Sequence, residues 1–280
     1  MNPLLASLIN PVYYSPAPLT PTGQEPIRHL LPKPKPSDTY LERANVPSHR
    51  LSEPKKLLII LDLNGTLLLR SNSGSSYTPR LKVQEFLEYC LANHVLIVWS
   101  SARPHNVKDM VAKLFTTEQH AKLVKVWSRD HLRLGAHYNT RVQVYKQLIW
   151  LWDDPEVQAS FAAANDASTP AETKDSDKDA SPGKWDQSNT VLLDDSVDKA
   201  ASEPYNLIRL DEFTRENKYS KEDVLGRTLA YIDGLKWEAD VSSAMREKPF
   251  VNGEGAIWDW EKGAVKKAEE QLDAEQANAK

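Results

Sequence analysis

Leu57-Leu58-Ile59-Ile60-Leu61 is apolar at every position and turns polar only at Asp62, just ahead of Leu63-Asn64-Gly65-Thr66. A run without alternation predicts a strand buried on both faces of a parallel sheet. The pattern recurs in Val95-Leu96-Ile97-Val98-Trp99, which ends at Ser100-Ser101, and in Leu123-Val124-Lys125-Val126-Trp127, which ends at Ser128-Arg129-Asp130. It returns in Thr190-Val191-Leu192-Leu193, which ends at Asp194-Asp195, and in Asn206-Leu207-Ile208-Arg209-Leu210. Helical spacing fills the intervals. Leu81, Phe86, Leu87, Cys90 and Leu91 share one face over residues 80–93, and Pro104 suits the first turn of a helix over 105–115. Val144, Leu148, Ile149 and Trp152 predict an amphipathic helix over 140–152 with Lys146 near its middle, and 221–245 reads as one long helix. Leu67-Leu68-Leu69-Arg70, a Ser/Asn/Gly cluster and Tyr77-Thr78-Pro79-Arg80 predict a small hairpin flap. Strands alternating with helices give an α/β fold: a Rossmann-like, three-layer parallel sheet of about five strands, with the flap after strand one.

The flanks read differently. Residues 1–54 hold aperiodic proline clusters such as Pro16-Ala17-Pro18 and Pro32-Lys33-Pro34-Lys35-Pro36, so they predict an extended or disordered arm. That arm is either a solvated tail or a ligand for a proline-reading domain, with Ser15-Pro16 and Thr20-Pro21 as acceptors of proline-directed phosphates. Leu51 and the apolar residues near Tyr40 are expected to pack back on the domain. Residues 156–187 are rich in Ala, Ser, Asp, Lys and Thr and read as a disordered acidic insertion, and 249–280 as a charged tail, leaving 55–248 as the folded domain. A net charge of -4 argues against a nucleic-acid surface driven by bulk positive charge. The single cysteine, Cys90, excludes an intrachain disulfide and suits a reducing compartment. With no run long enough to span a bilayer and no positively flanked leader, cytoplasm or nucleus is favoured, and a mitochondrial destination stays open.

The polar residues at the strand ends carry the chemistry. In open α/β sheets the carboxyl edge is where ligands bind, and Asp62, Asp194 and Asp195 would gather there. Clustered carboxylates repel unless a cation joins them, and hard oxygen donors suit magnesium. Ser100 and Ser101, Lys146 and Arg129 can hold phosphate oxygens, while Asp62 attacks phosphorus with Lys146 neutralising charge. Arg129 has the alternative of a surface cluster with Asp130. Arg103 and His105 open a helix beside Ser100, and Trp99 and Trp127 precede site residues and would wall the cleft. The histidines outside that helix, His94 among them, read as surface or satisfied core groups. Thr66 is expected to tie its hydroxyl to nearby backbone. Leu96 stands six positions after Cys90, where a cysteine-phosphatase loop needs arginine, so Cys90 reads as packing.

These motifs, in this order, resemble the haloacid dehalogenase superfamily, whose first motif is Asp-x-Asp-Gly-Thr/Val. Within it, residues 55–245 look like the branch of RNA polymerase II C-terminal-domain phosphatases and NLI-interacting-factor-like proteins. The resemblance implies that Asp62 is the nucleophile, Ser100 the second-motif phosphate-binding hydroxyl, Lys146 the third-motif lysine and Asp194 a ligand of Mg2+. By the same resemblance Asp195 reaches the metal through water, and Asn64 offers its main-chain carbonyl. A short stretch between the first two motifs implies a capless member, open to phosphorylated protein. The chain departs from the pattern at Asn64, where active members carry the aspartate that protonates the leaving oxygen and then deprotonates the attacking water. An amide does neither, and losing such help costs about a hundred- to ten-thousandfold. Three readings follow: a slow phosphatase, with Asp195 or His105 as substitute proton carriers; a pseudophosphatase that binds phosphoprotein, as in the receptor subunit of the mitochondrial inner-membrane translocase; and a purely structural module.

Overall fold

The computed structural model describes residues 26–71, 76–165 and 183–266. Its centre is the strand Leu58–Leu61 (β1), all four residues of which are buried, because the sheet is covered on both faces. β1 pairs in parallel with Val95–Trp99 (β4) on one side and Thr190–Asp194 (β6) on the other. Lys125–Trp127 (β5) and Leu207–Arg209 (β7) close the edges, giving the parallel order β5-β4-β1-β6-β7. The predicted fold class therefore stands. The flap is the antiparallel pair Leu68–Arg70 (β2) and Tyr77–Pro79 (β3), and residues 72–75 lie outside the described residues.

Alternate residues of β1 serve two cores. Ile59 and Leu61 face Phe86, Leu87 and Cys90 of Val83–Asn93 (α2), with Met110 of Pro104–Leu114 (α3) and Leu229 of Val224–Leu235 (α7) in the same core. Leu58 and Ile60 point to the opposite core, with Trp99, Trp127, Leu148, Leu151 and Trp185. Trp99 and Trp127 meet edge to face at 5.1 Å there, so they build the core and do not wall the cleft. Leu81, expected on the buried face of α2, is exposed, and Val83 takes its place, because the helix starts later than its spacing implied.

The helix expected over 140–152 is confined to Ile149–Trp152 (α5), and Ile149 is exposed. Upstream the chain is neither helix nor strand: it makes one parallel bridge at Val142 and buries Val142, Val144, Tyr145, Lys146 and Leu148. The amide of Lys146 donates to Lys199 O (2.7 Å) and that of Leu148 to Glu203 Oε2 (2.8 Å), so these amides are satisfied outside any helix.

Four other expectations are corrected. The start of the presumed disordered insertion is the helix Pro155–Asn165 (α6), held by Val157 and by Phe161, whose ring meets the buried Trp185 at 5.0 Å. Residues 166–182 lie outside the described residues. Within the presumed arm, Asp38–Asn45 (α1) is a helix capped by Ser37; Tyr40 is buried and its hydroxyl donates to Asn206 Oδ1 (2.9 Å). Residues 1–25, with both Ser/Thr-Pro sites, lie outside the described residues. The single C-terminal helix is two, α7 and Val241–Glu247 (α8), because Asp240 caps a fresh start by accepting from the amide of Ser243 (3.1 Å). Finally, the tail begins with a short pair, Trp258–Asp259 and Ala264–Val265, whose Trp258 enters the core; residues 267–280 lie outside the described residues.

Candidate active site

Parallel pairing puts the carboxyl ends of β1 and β6 side by side, with Leu61 opposite Leu193, so Asp62 and Asp194 emerge as neighbours. The strand order reverses at β1, the switch point where α/β sheets open a crevice. Gly65 turns the chain away at φ 89°, and a Cβ there would come within 3.0 Å of Asp195 Oδ2, so glycine admits both the turn and the close approach.

The two aspartates are almost wholly removed from water, Asp62 at 1% and Asp194 at 0% exposure. Lys146, equally buried, donates from Nζ to Asp62 Oδ1 at 2.8 Å and to Asp194 Oδ2 at 2.6 Å. A second lysine, absent from the sequence reading, completes the cluster. Lys199 Nζ sits 2.8 Å from Asp194 Oδ1, 3.0 Å from Asp195 Oδ1 and 3.7 Å from Asp62 Oδ2. It stands on the 3-10 turn Val197–Ala200 directly after β6, and its signal in the sequence is the spacing of four from Asp195. Thr66 donates its hydroxyl to Asp62 Oδ2 (3.2 Å), a side-chain bond in place of the backbone tie expected of it. The amide of Ser196 donates to Asp194 Oδ1 (3.0 Å).

Three carboxylates and two ammoniums leave the cluster one negative charge in excess. Burial alone would raise the Asp194 carboxyl, but Lys146 and Lys199 outweigh it and hold this acid well below the usual range. Asp195 goes the other way: burial first, then its hydrogen bond to Asp194 and the charge of Asp62, push it up to about 6 against the pull of Lys199. One oxygen each of Asp62, Asp194 and Asp195 lie within 4.8 Å of one another, a donor set of hard oxygens.

Above this floor opens a cleft of about 580 Å³, lined by Ser101, Arg129, Asp195, Lys199, Arg209 and Glu212 among others. Ser100 is buried below Ser101 and accepts from the amide of Ala102 (3.3 Å). Arg129 reaches the cleft while Nε donates to Tyr138 O (2.7 Å) and Nη2 to Thr140 O (2.8 Å); Asp130 is engaged by the Tyr138 hydroxyl (2.5 Å) and not by Arg129. Asn64 is exposed and its Oδ1 accepts from the amide of Arg70 (2.8 Å), which ties it to the flap. His105 is exposed on the first turn of α3, where Arg103 donates to Asn139 Oδ1 (3.0 Å).

A parallel sheet with a buried aspartate–lysine cluster at its switch point is a haloacid dehalogenase-like arrangement. The chain belongs to the NLI interacting factor-like phosphatases, whose family profile matches residues 57–242. It is 32% identical over 230 residues to an uncharacterized FCP1 homology domain-containing protein of Schizosaccharomyces pombe, covering 78% of this chain and 86% of that one. Among solved structures it is similar to the fission yeast RNA polymerase II CTD phosphatase Fcp1 bound to beryllium fluoride. That match has 12% identity and a TM-score of 0.37, and covers 86% of this chain but 52% of that one, so this chain spans about half the length of that relative. A putative 3-deoxy-D-manno-octulosonate 8-phosphate phosphatase from Vibrio cholerae matches at 11% identity and a TM-score of 0.28, over 78% of this chain and 94% of that one. Among the described residues no helix is long and apolar enough to cross a membrane.

Proposed function

We propose that this chain is a magnesium-dependent phosphatase for phosphoserine or phosphothreonine in proteins, slowed by Asn64. The observation that carries the reading is Lys146 Nζ set between Asp62 and Asp194 beneath an open, cation-lined cleft. Asp62 attacks phosphorus, the ester bond breaks toward the leaving oxygen, and an aspartyl-phosphate forms. Water then cleaves that intermediate to phosphate and restores the carboxylate. Lys146 holds Asp62 in place through its hydrogen bond, and Ser101 and Arg129 line the cleft as donors for an entering phosphate, with Ser100 buried next to Ser101. The acidic trio suits magnesium by donor chemistry and spacing, with the Asn64 main-chain carbonyl beside it on the chain. Bound there, magnesium would neutralise charge developing on the phosphoryl group. Phosphoprotein chemistry of this kind fits a cytoplasmic or nuclear protein.

Asn64 offers no proton to a departing alkoxide, whereas a phenolate leaves without one. The wild type should therefore turn over p-nitrophenyl phosphate with a kcat/KM about a hundredfold or more above that for a phosphoserine peptide. Equal values for the two substrates would sink this account of Asn64. A second reading, a pseudophosphatase that captures phosphoprotein, draws on the engagement of Asn64 by the flap amide. It predicts saturable phosphopeptide binding with no phosphate release from either substrate.

A further inference from the structure

Lys199 does two things in the structure that a bystander lysine would not. Its ammonium touches all three carboxylates that make up the acidic trio, and it also lines the cleft above them. The oxygens nearest to it, Asp194 Oδ1 and Asp195 Oδ1, belong to the carboxylates that a divalent ion would need. A cation cannot share them at ordinary ligand distances, about 2.1 Å for magnesium, while an ammonium stands at hydrogen-bond distance from both. Asp62 meanwhile has 1% of its surface exposed, so what lies over it also decides whether a phosphate can reach it.

We propose that Lys199 is a tethered internal cation that occupies the metal position and screens Asp62, and that it must leave its carboxylates when magnesium binds. The inference rests on the metal-dependent reading of the site and adds the exchange itself. Two features single out Lys199 over Lys146 for this movement. Lys146 has a side chain with 0% exposure and comes from a segment whose amides are pinned by the Lys199 carbonyl and Glu203. Lys199 has 13% side-chain exposure, faces the cleft, and stands on a single 3-10 turn at the surface end of β6. With Lys199 in place the cluster is one charge short of neutral, so the chain tolerates three buried or half-buried carboxylates without metal. Magnesium binding then has to overcome an ion pair already made, which weakens metal affinity and couples loading to the opening of Asp62.

The test is calorimetric titration of Mg2+ into the wild type, Lys199→Met and Lys199→Arg, each checked for folding by circular dichroism. Removing the internal cation should tighten magnesium binding by about tenfold or more, whereas Lys199→Arg should stay within a fewfold of wild type. Lys199→Met with wild-type or weaker affinity would overturn the exchange while leaving the metal-dependent reading intact. No binding to any of the three proteins would overturn both. Should Lys199→Met fold poorly, the wild type decides. Acetylation by an N-hydroxysuccinimide ester, followed by mass spectrometry, should mark Lys199 several-fold faster with saturating Mg2+, and Lys146 should stay unmarked as the reference. Unchanged labelling of Lys199 in protein that binds Mg2+ contradicts the proposal.

Discussion

Lys146 carries the arrangement at the scale of single residues. A lysine with no exposed surface persists only because two carboxylates receive its hydrogen bonds, and those carboxylates persist because of it. Lys146→Met should cost about 3–5 kcal/mol in denaturant unfolding, since it strands buried charge; a wild-type midpoint would show that the pairing adds nothing. Asn64→Asp should raise phosphoserine peptide hydrolysis by about a hundred- to ten-thousandfold, read by phosphate release. A carboxylate can keep the bond now made to the Arg70 amide, so the flap should be undisturbed. Asp62, Asp194 and Asp195 were legible because each follows an apolar run whose meaning is unambiguous, and Lys146 because the family resemblance marked it, although the helix expected to carry it did not form. Lys199 was not, because its reach depends on a 3-10 turn that has no periodic signature. Nor was the state of His94 legible: it is buried with Nδ1 accepting from the Leu57 amide and Nε2 without a partner, not a satisfied core group.

Elements show where local patterns misled. Composition made 156–187 look unable to form a core, yet one tryptophan suffices to anchor its ends: Trp185 is fully buried, donates its indole N–H to Ser160 (2.9 Å) and packs on Phe161. Trp185→Ala should cost about 3–5 kcal/mol and loosen α6, seen as faster amide exchange there. Exchange in α6 at wild-type rates would contradict this packing role. The non-helical segment before α5 was hidden for a different reason. Val144, Leu148, Ile149 and Trp152 do keep helical spacing, but the docking of the stretch around Val142 holds it out of a helix until Ile149. It pairs with Arg28, whose amide donates to Arg141 O (3.0 Å) and whose carbonyl accepts from Gln143 (2.9 Å). A residue assigned to the arm thus supports the segment that carries Lys146.

For the whole molecule, the five parallel strands followed from the apolar runs, while their order and the layers that wrap them depended on long-range contacts which no local window holds. Global stability should also carry a pH signature from His94. Burial, reinforced by the nearby charge of Lys236, pulls its imidazole down to about 3 from an ordinary 6.5. Between those values the unfolded chain binds a proton that the native state refuses, so stability rises with pH across that window and falls on acidification. His94→Gln should flatten that acid loss, by up to about 5 kcal/mol over the full window; an unchanged slope in urea melts between pH 7 and pH 4 would exclude His94 as its source.

Net charge is -4 overall, but Arg129, Arg209 and Lys199 are concentrated at the cleft, where an anionic substrate would arrive. What that substrate meets is Asp62, and the whole account turns on its being a nucleophile. The most direct measurement is release of p-nitrophenol from its phosphate by wild type and Asp62→Asn, with saturating Mg2+ and with EDTA. Wild type should release p-nitrophenol with magnesium only, and Asp62→Asn should release none in either condition. Equal release by the two proteins, or release indifferent to EDTA, would contradict that role for Asp62.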